Sequence, residues 1–248
     1  MITGIVVALP EELTTLTSKK IDKGSSLFIA DNLLVAYSGT GSINAKAAAD
    51  LLIAQGVTRL MSWGCAAALS ASLKPGDLIL ADELIDAEGC RDAKYGDAEF
   101  CVSTDWHSDT KNRLATFVVV HTGCLAESKR IVSSSKDKKQ LQSTTGAVAV
   151  DMESIAIAKV AGQHTLPFLA IRVIADPVNM DLPQAINYSL NERGDIVMSK
   201  LLLFLVLHPA ELPGLIKLGL HFNVAKKTLK LIANHLDTLT DFSGHKRT

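Results

Sequence analysis

The sequence predicts a single α/β domain in which helices flank a mixed, mostly parallel central sheet. Two observations indicate this fold class. Continuous apolar runs typical of buried strands alternate with segments of helical pattern, as in parallel sheets covered on both faces. A chain of 248 residues also suffices for one large core, and no Pro-, Gly- or Ser-rich linker divides it. We therefore expect one domain over residues 1–248, with a helical C-terminal extension over about residues 195–240.

The N-terminal segment predicts a strand, a helix and a hairpin. The apolar run at residues 2–9 is typical of a buried strand, and Pro10 followed by two acids indicates the start of a helix. Residues 25–39 contain two short apolar runs on either side of Asp31 and Asn32, which predicts a β-hairpin.

The next segment predicts a helix and two more strands. The helix has Ser42 as its expected N-cap and Gly56 at its end. The strands cover residues 58–64 and 76–85, and a turn at Pro75-Gly76 separates them.

Beyond residues 88–112, which are polar and irregular, the pattern alternates again. We expect strands at residues 115–123, 146–150 and 166–176, and helices at residues 136–142 and 153–163.

Composition excludes several classes of function. The formal net charge of -1 and the pI of about 6.6 give no broad positive field for nucleic acid. The first residues lack the basic segment of a signal peptide, so we expect a cytoplasmic protein. The cysteines and histidines lack metal-ligand spacing, which predicts no metal site. The apolar run at residues 201–207 is far shorter than the roughly 20 residues of a membrane-spanning helix.

Polar and small residues follow the predicted strands, where sheets of this kind bind ligands. Taken singly, the acids among them are explained as helix-dipole charges, and Asp176 before Pro177 as a turn residue. Carboxylates after three separate strands favour a ligand site instead. The candidate segments are Glu11-Glu12, Gly39-Thr40-Gly41, Gly64-Cys65-Ala66, Asp151-Met152-Glu153 and Asp176.

The glycine-rich segment after the third predicted strand does not fit a dinucleotide-binding site. In "SGTGSIN" the third glycine of the G-x-G-x-x-G motif is replaced by Asn44, and the motif follows the third strand rather than the first.

Five segments together resemble the nucleoside phosphorylase and nucleosidase superfamily, most nearly in the pattern of the methylthioadenosine/S-adenosylhomocysteine nucleosidases. The resemblance runs from residue 1 to about residue 180, and "VDMES" and "AIRVIAD" are its most specific parts. The tail, "LPQAINYSL" and "HPAELPGLIKLG", is similar to the hopanoid-associated phosphorylase branch. The segments are "GIVVALPEEL", "SGTGSINAKAAADLLI", "GCAAALSASLKPGDLILAD", "VAVDMESIAIAKVA" and "LPFLAIRVIAD".

The resemblance implies a phosphorylase/hydrolase-like fold with a partly barrel-like sheet, and a role for each site residue. Asp176 would protonate a departing adenine, and Glu12 would activate or position water. Glu153 would hold the ribose hydroxyls, with Met152 packed beside the sugar. Gly64-Cys65-Ala66 would form a turn that approaches the ligand through its backbone. The family likeness further implies a homodimer, a small-molecule nucleoside substrate and no cofactor. The similarity of the tail to the hopanoid-associated branch implies adenosylhopane as that substrate.

The choice of nucleophile separates two enzymatic hypotheses. Phosphorylases of this superfamily have an arginine where this chain has Ser62, and Glu11 and Glu12 would repel phosphate, so water is favoured. Phosphorolysis through Arg130 or through an arginine of a partner subunit is the alternative. A third hypothesis is a non-catalytic nucleoside-binding or membrane-surface protein.

The tail beyond residue 200 carries a larger apolar surface than one helix usually buries, interleaved with lysines. Packing on the domain or in a dimer explains such a surface. The alternative interpretation is a peripheral contact with the inner face of a membrane, or a site for an apolar 5′ substituent.

Overall fold

A nine-stranded sheet is surrounded by helices in this computed structural model. The structure describes residues 1–88, 100–189 and 198–240. The strands are β1 (Thr3–Val7), β2 (Ser25–Ala30), β3 (Leu33–Tyr37), β4 (Arg59–Ala68), β5 (Leu78–Asp86), β6 (Phe100–Cys101), β7 (Val120–Glu127), β8 (Ala149–Asp151) and β9 (Phe168–Asp176). The helices are α1 (Pro10–Leu16), α2 (Ser42–Ala54), α3 (Thr104–Leu114), α4 (Ser135–Thr145), α5 (Ser154–Gln163), α6 (Gln184–Ser189), α7 (Met198–Leu207), α8 (Leu212–Ala233) and α9 (Leu236–Thr240), with a 3-10 turn at Pro209–Glu211.

The sheet closes on itself over five of its strands. β4 pairs with β8, β8 with β7, β7 with β5, β5 with β9, and β9 with β4 again. β1, β3 and β2 extend the sheet from β4, and β6 extends it from β5. Five of the nine strand pairings among the described residues are parallel. The predicted fold class, a mixed and partly barrel-like α/β domain flanked by helices, is confirmed.

Apolar side chains from both faces of the sheet form the core. All nine residues of β9 are buried, as are the five residues of β1. Such runs belong to strands that are covered on both faces, which explains why the sequence shows no polar alternation there. One main cluster of buried side chains spans the strands and the inner faces of α2, α5 and α8.

The prediction for the start of α2 was wrong by one residue. Gly41, not Ser42, is the N-cap of the helix, and its φ of 92° lies in a region that glycine adopts without strain. Gly56, with a φ of 82°, follows the end of the helix as expected.

β4 is longer than the sequence indicated, which corrects the expected turn at Gly64-Cys65-Ala66. These residues lie inside the strand, because β9 pairs with β4 continuously from Leu60 to Ala66. The polar region predicted as irregular contains the strand β6 and the helix α3, whose Trp106 and Leu114 are buried. The remainder of that region, residues 89–99, lies outside the described residues.

The C-terminal helices pack back onto the domain. The Thr228 hydroxyl of α8 donates to the Gly76 carbonyl at 3.0 Å, and the Trp106 indole donates to the Leu239 carbonyl at 3.2 Å. Within the described ranges no single helix is long and apolar enough to cross a membrane. Ser199–Leu207 and Pro209–Ala233, bent by 108°, reach that length and composition only as a pair.

Candidate active site

A gap along one edge of β4 forms the centre of the candidate site. β1 pairs with this edge as far as Val7 opposite Trp63, and β8 begins to pair with it at Ala67. Between them, Gly64-Cys65-Ala66 has no strand partner on this edge among the described residues. The Cys65 amide therefore needs another acceptor, and Glu12 supplies it: its Oε1 atom accepts at 2.7 Å.

Glu12 is fixed by the turn that joins β1 to α1. Pro10 begins the helix, and the second carboxylate oxygen of Glu12 accepts from the Leu9 amide at 3.0 Å. Only 3% of Glu12 is exposed, and burial raises its pKa, although the amide bonds and Arg172 act in the opposite direction. A Cβ atom at Gly64 would lie 2.7 Å from Glu12 Oε1, so this carboxylate occupies the space that any side chain at residue 64 would need.

Glu153 lies at the junction of β8 and α5 and contacts the start of α2. Its Oε1 atom accepts from the Gly41 amide at 2.8 Å, and its Oε2 atom accepts from the Met152 amide at 3.3 Å. Burial, reinforced by the negative charge of Asp151, raises the pKa of Glu153 to about 8. The charge of Glu12 acts in the same direction, so the two glutamates lie within electrostatic reach of each other.

A buried ion pair lies behind these glutamates. Arg172, 2% exposed, donates from Nε to Asp151 Oδ2 at 2.8 Å, and its Nη2 atom is 2.7 Å from the same oxygen. Nη2 also donates to the Ser62 hydroxyl at 2.6 Å and to the Ser154 hydroxyl at 3.1 Å. Asp151, which the sequence placed among the candidates, is thus engaged by Arg172, as is Ser62.

Asp176 ends β9 and is aligned with Ala67 of β4, two residues beyond Cys65. Its Oδ2 atom lies 2.7 Å from the Nζ atom of Lys138, which is completely buried. Both of its oxygens are buried without a hydrogen-bond partner within the described ranges, so the ion pair with Lys138 distinguishes Oδ2 from Oδ1. Burial raises the pKa of Asp176 to about 6, against the lowering effect of Lys138.

The structure brings most of the predicted site residues together. Glu12, Gly64 and Cys65 meet at the β4 edge, and the charge of Glu12 acts on Glu153. Ala66 and half-buried Met152 flank them in β4 and after β8. Glu11, by contrast, is exposed. No group of three or more His, Cys, Asp or Glu side chains in the described part of the chain is arranged to hold a metal ion.

Lys138 is the principal residue that the sequence analysis missed. It lies in a helix with three lysines in four positions, which is typical of a solvated surface. Gly39-Thr40-Gly41 was among the candidate segments, but the bond from the Gly41 amide to Glu153 was not predicted. Arg172, within the recognised "AIRVIAD" segment, carried no sign of its partner 21 residues earlier.

Comparison with known proteins gives a family match over most of the chain. The family model described as "Phosphorylase superfamily" matches residues 3–199. A 5'-methylthioadenosine/S-adenosylhomocysteine nucleosidase of Staphylococcus aureus is 24% identical over 207 residues, covering 71% of this chain and 86% of the relative.

Solved structures share the fold over nearly the whole chain. Futalosine hydrolase of Helicobacter pylori superposes with a TM-score of 0.69 at 22% identity, covering 96% of this chain and 97% of that one. The 5'-methylthioadenosine/S-adenosylhomocysteine nucleosidase of the same organism, with butyl-thio-DADMe-Immucillin-A, superposes with a TM-score of 0.68 at 22% identity, covering 96% and 97%. At these identities the likeness establishes the fold.

Proposed function

This chain belongs to the phosphorylase superfamily, and on that premise we propose that it hydrolyses the N-glycosidic bond of an adenine nucleoside. Two kinds of observation support the proposal. The Staphylococcus aureus relative is named for adenine nucleosides, and Helicobacter pylori structures that share the fold are named as a nucleosidase and a hydrolase. The chain also has three buried carboxylates, Glu12, Glu153 and Asp176, to which we assign the nucleophile, the sugar and the base.

The observation that carries the proposal is the Glu12 carboxylate in the gap of the β4 edge. Amide bonds from Cys65 and Leu9 fix its two oxygens, and the carboxylate so positioned can accept a proton from water. Burial raises the pKa of Glu12, which makes it a stronger base for the proton of that water. A carboxylate here favours water over phosphate as the nucleophile, because two anions repel each other.

Asp176 serves the departing base. The C1′–N9 bond breaks with its electron pair on the purine, and the Asp176 carboxyl group delivers a proton to N7. A pKa of about 6 keeps part of the Asp176 population protonated near neutral pH. Its unpartnered Oδ1 atom is suited to a hydrogen bond with N7 or with the exocyclic amine.

Glu153 serves the sugar, with Met152 beside it. The ribose hydroxyls hydrogen-bond to the Glu153 carboxyl group, which positions the sugar as it becomes oxocarbenium-like and the base leaves. The water oxygen then bonds to C1′ while Glu12 takes its proton. The Gly41 amide holds Glu153 in place through Oε1.

Phosphorolysis is the second enzymatic candidate, because the matching family takes its name from it. The described site offers little for phosphate. Ser62 occupies the position at which phosphorylases of the superfamily have an anion-binding arginine, and its hydroxyl accepts a hydrogen bond from Arg172. Arg172 itself is paired with Asp151, and Arg130 is exposed beyond the end of β7.

Product analysis tests the proposal. Purified protein is incubated with methylthioadenosine or adenosine, with and without phosphate, and the sugar product is identified by NMR. We expect adenine and the free sugar, with no stimulation by phosphate. Sugar 1-phosphate as the main product would establish the phosphorylase, and binding without adenine release would establish the non-catalytic alternative. Asp176→Asn should lower the rate by about 10²–10⁴-fold, since it removes a general acid.

The C-terminal helices extend the proposal to the 5′ end of the substrate and to a membrane. The charge of Lys226 in α8 acts on the Cys65 thiol, so α8 borders the candidate site. We propose that α8 accepts an apolar 5′ substituent, such as the hopane of adenosylhopane, and that α7 and α8 contact the anionic membrane surface where such a substrate resides. The homodimer expected from the resemblance stays a prediction.

A further inference from the structure

Lys138 is buried in a helix whose other lysines are solvated. Its side chain is 0% exposed, whereas Lys136 and Lys139 beside it in α4 are exposed. A buried ammonium group is costly unless acceptors surround it. Its acceptors all belong to Asp176 and to the loop that follows it.

The ammonium group has one ion-pair partner and two hydrogen-bond acceptors. Nζ lies 2.7 Å from Asp176 Oδ2, and it donates to the Met180 carbonyl at 2.8 Å and to the Pro177 carbonyl at 3.2 Å. One side chain thus joins α4 to both ends of the loop at residues 177–180. The N-terminal end of α4 holds the same loop from the other direction, because the Ser135 amide donates to Asp181 Oδ1 at 2.6 Å.

We propose that Lys138 is a positioning residue for the acid of the reaction: by holding Asp176 Oδ2 and the loop at residues 177–180, it leaves Oδ1 as the oxygen that carries the proton to the base. This inference rests on the proposed function of Asp176. It deepens that function by distinguishing the two oxygens of the carboxyl group and by assigning the contact that does so.

The partners of the two oxygens support this assignment. Oδ2 faces a cation, and a proton on Oδ2 would point at the Lys138 ammonium, which has no lone pair to accept it. Neither oxygen has a hydrogen bond in the described part of the chain, but Oδ2 has the Lys138 ion pair at 2.7 Å and no ion pair is recorded for Oδ1. Buried polar atoms in native proteins usually have a partner, so Oδ1 is the oxygen that remains to be satisfied. A purine N7 atom at Oδ1 would satisfy it.

Lys138 also sets the protonation of the acid. Burial raises the pKa of Asp176, Lys138 from α4 lowers it, and Asp181 from the following loop raises it slightly, to a value of about 6. Removing the ammonium leaves burial and Asp181 acting together. The acid of a Lys138 variant would therefore stay protonated to higher pH.

The test compares Lys138→Met, Lys138→Arg and Lys139→Met, the last being an exposed lysine on the same helix. The kcat of the wild type should fall as pH rises through the pKa of the acid. In Lys138→Met the alkaline limb should move up by about 1–3 pH units, the size of the effect of a neighbouring opposite charge. Its maximal kcat should fall as well, because the loop is released. Lys138→Arg should retain the position of the limb, and Lys139→Met should match the wild type.

A second readout is independent of catalysis. The carboxyl carbon of Asp176 is titrated by ¹³C NMR in aspartate-labelled protein, with Asp176→Asn providing the assignment. An upward shift in Lys138→Met but not in Lys138→Arg supports the inference even if Asp176 proves not to be the acid. An unchanged pKa and an unchanged pH profile overturn it. Full activity of Asp176→Asn would instead overturn the proposed function. Lys138→Gln serves as the same test if Lys138→Met does not fold, as judged by its thermal melt.

Discussion

At the scale of single residues, Gly64 shows how closely the backbone of β4 approaches the carboxylate proposed to activate water. An alanine Cβ at this position would lie 2.7 Å from Glu12 Oε1 and 2.9 Å from both its Cδ and Oε2 atoms. The carboxylate would have to move and would lose its bond to the Cys65 amide. We expect Gly64→Ala to lower kcat by about 10²-fold, the effect of misplacing a reacting group by about 1 Å.

Gly162→Ala is the matched control for this substitution. Gly162 lies in α5, and an added Cβ meets nothing within 4 Å. We expect it to retain wild-type activity and stability. Wild-type kinetics in Gly64→Ala would show that the position of Glu12 does not matter to the reaction.

Residues such as Glu12 were predictable from sequence, and Lys138 was not. Glu12 follows a strand with an unambiguous apolar pattern, so both its element and its edge of the sheet could be inferred. Lys138 meets Asp176 only because α4 packs against the loop after β9, a contact between positions 38 residues apart that leaves no periodic signal.

At the scale of elements, strand identity was predictable, whereas strand length depended on partners. β4 extends to Ala68 because β9 and then β8 pair with it, and the apolar pattern gave no sign of that pairing. The gap at Gly64-Cys65-Ala66, which defines the site, is likewise a product of where β1 ends and β8 begins. α3 was missed because only Trp106, Thr110 and Leu114 are buried in an otherwise polar helix.

The α7–α8 pair carries a prediction about membranes. Nine exposed apolar side chains lie on these helices, which contain five lysines and no Asp or Glu, in a chain whose net charge is -1. That charge asymmetry fits an anionic bilayer. The exposed apolar residues are Leu202, Leu203, Val206, Leu207, Leu212, Ile216, Leu220, Val224 and Leu231.

We expect the protein to co-sediment with vesicles that contain anionic lipid, and to be released by salt. Ile216→Asp should abolish this binding, because it places a charge in the apolar face of α8. Val119→Asp is the control, since Val119 is 74% exposed but lies outside the C-terminal helices. The opposite result is a wild type that does not bind vesicles but forms a dimer, which light scattering shows to be dissociated by Ile216→Asp. That result would assign the surface to a second copy of the chain.

At the scale of the whole molecule, the buried carboxylates make stability depend on pH. Burial is the largest cause of a raised pKa at Glu12, Glu127, Glu153 and Asp176 alike. Each of these groups holds its proton in the folded chain at pH values where the unfolded chain has released it. A stability contribution of this kind is complete below the ordinary pKa of the group and is lost as pH rises through the folded value. Burial of these acids therefore lowers the free energy of unfolding near neutral pH relative to acidic pH.

The last prediction follows from Glu127 and Glu153, whose pKa values of about 7 and about 8 compare with an ordinary value of 4.5. The free energy of unfolding should fall between about pH 5 and about pH 8, by up to about 1.4 kcal/mol per pH unit for each group. Glu127→Gln/Glu153→Gln removes both titrations, while the amide oxygen of residue 127 can still accept from the Ala156 amide. Urea unfolding at the two pH values should therefore show a smaller loss in the double variant than in the wild type. Exposed Glu11→Gln should leave the loss unchanged. An equal loss in the double variant would mean that these carboxylates ionise in the folded chain as readily as in the unfolded one.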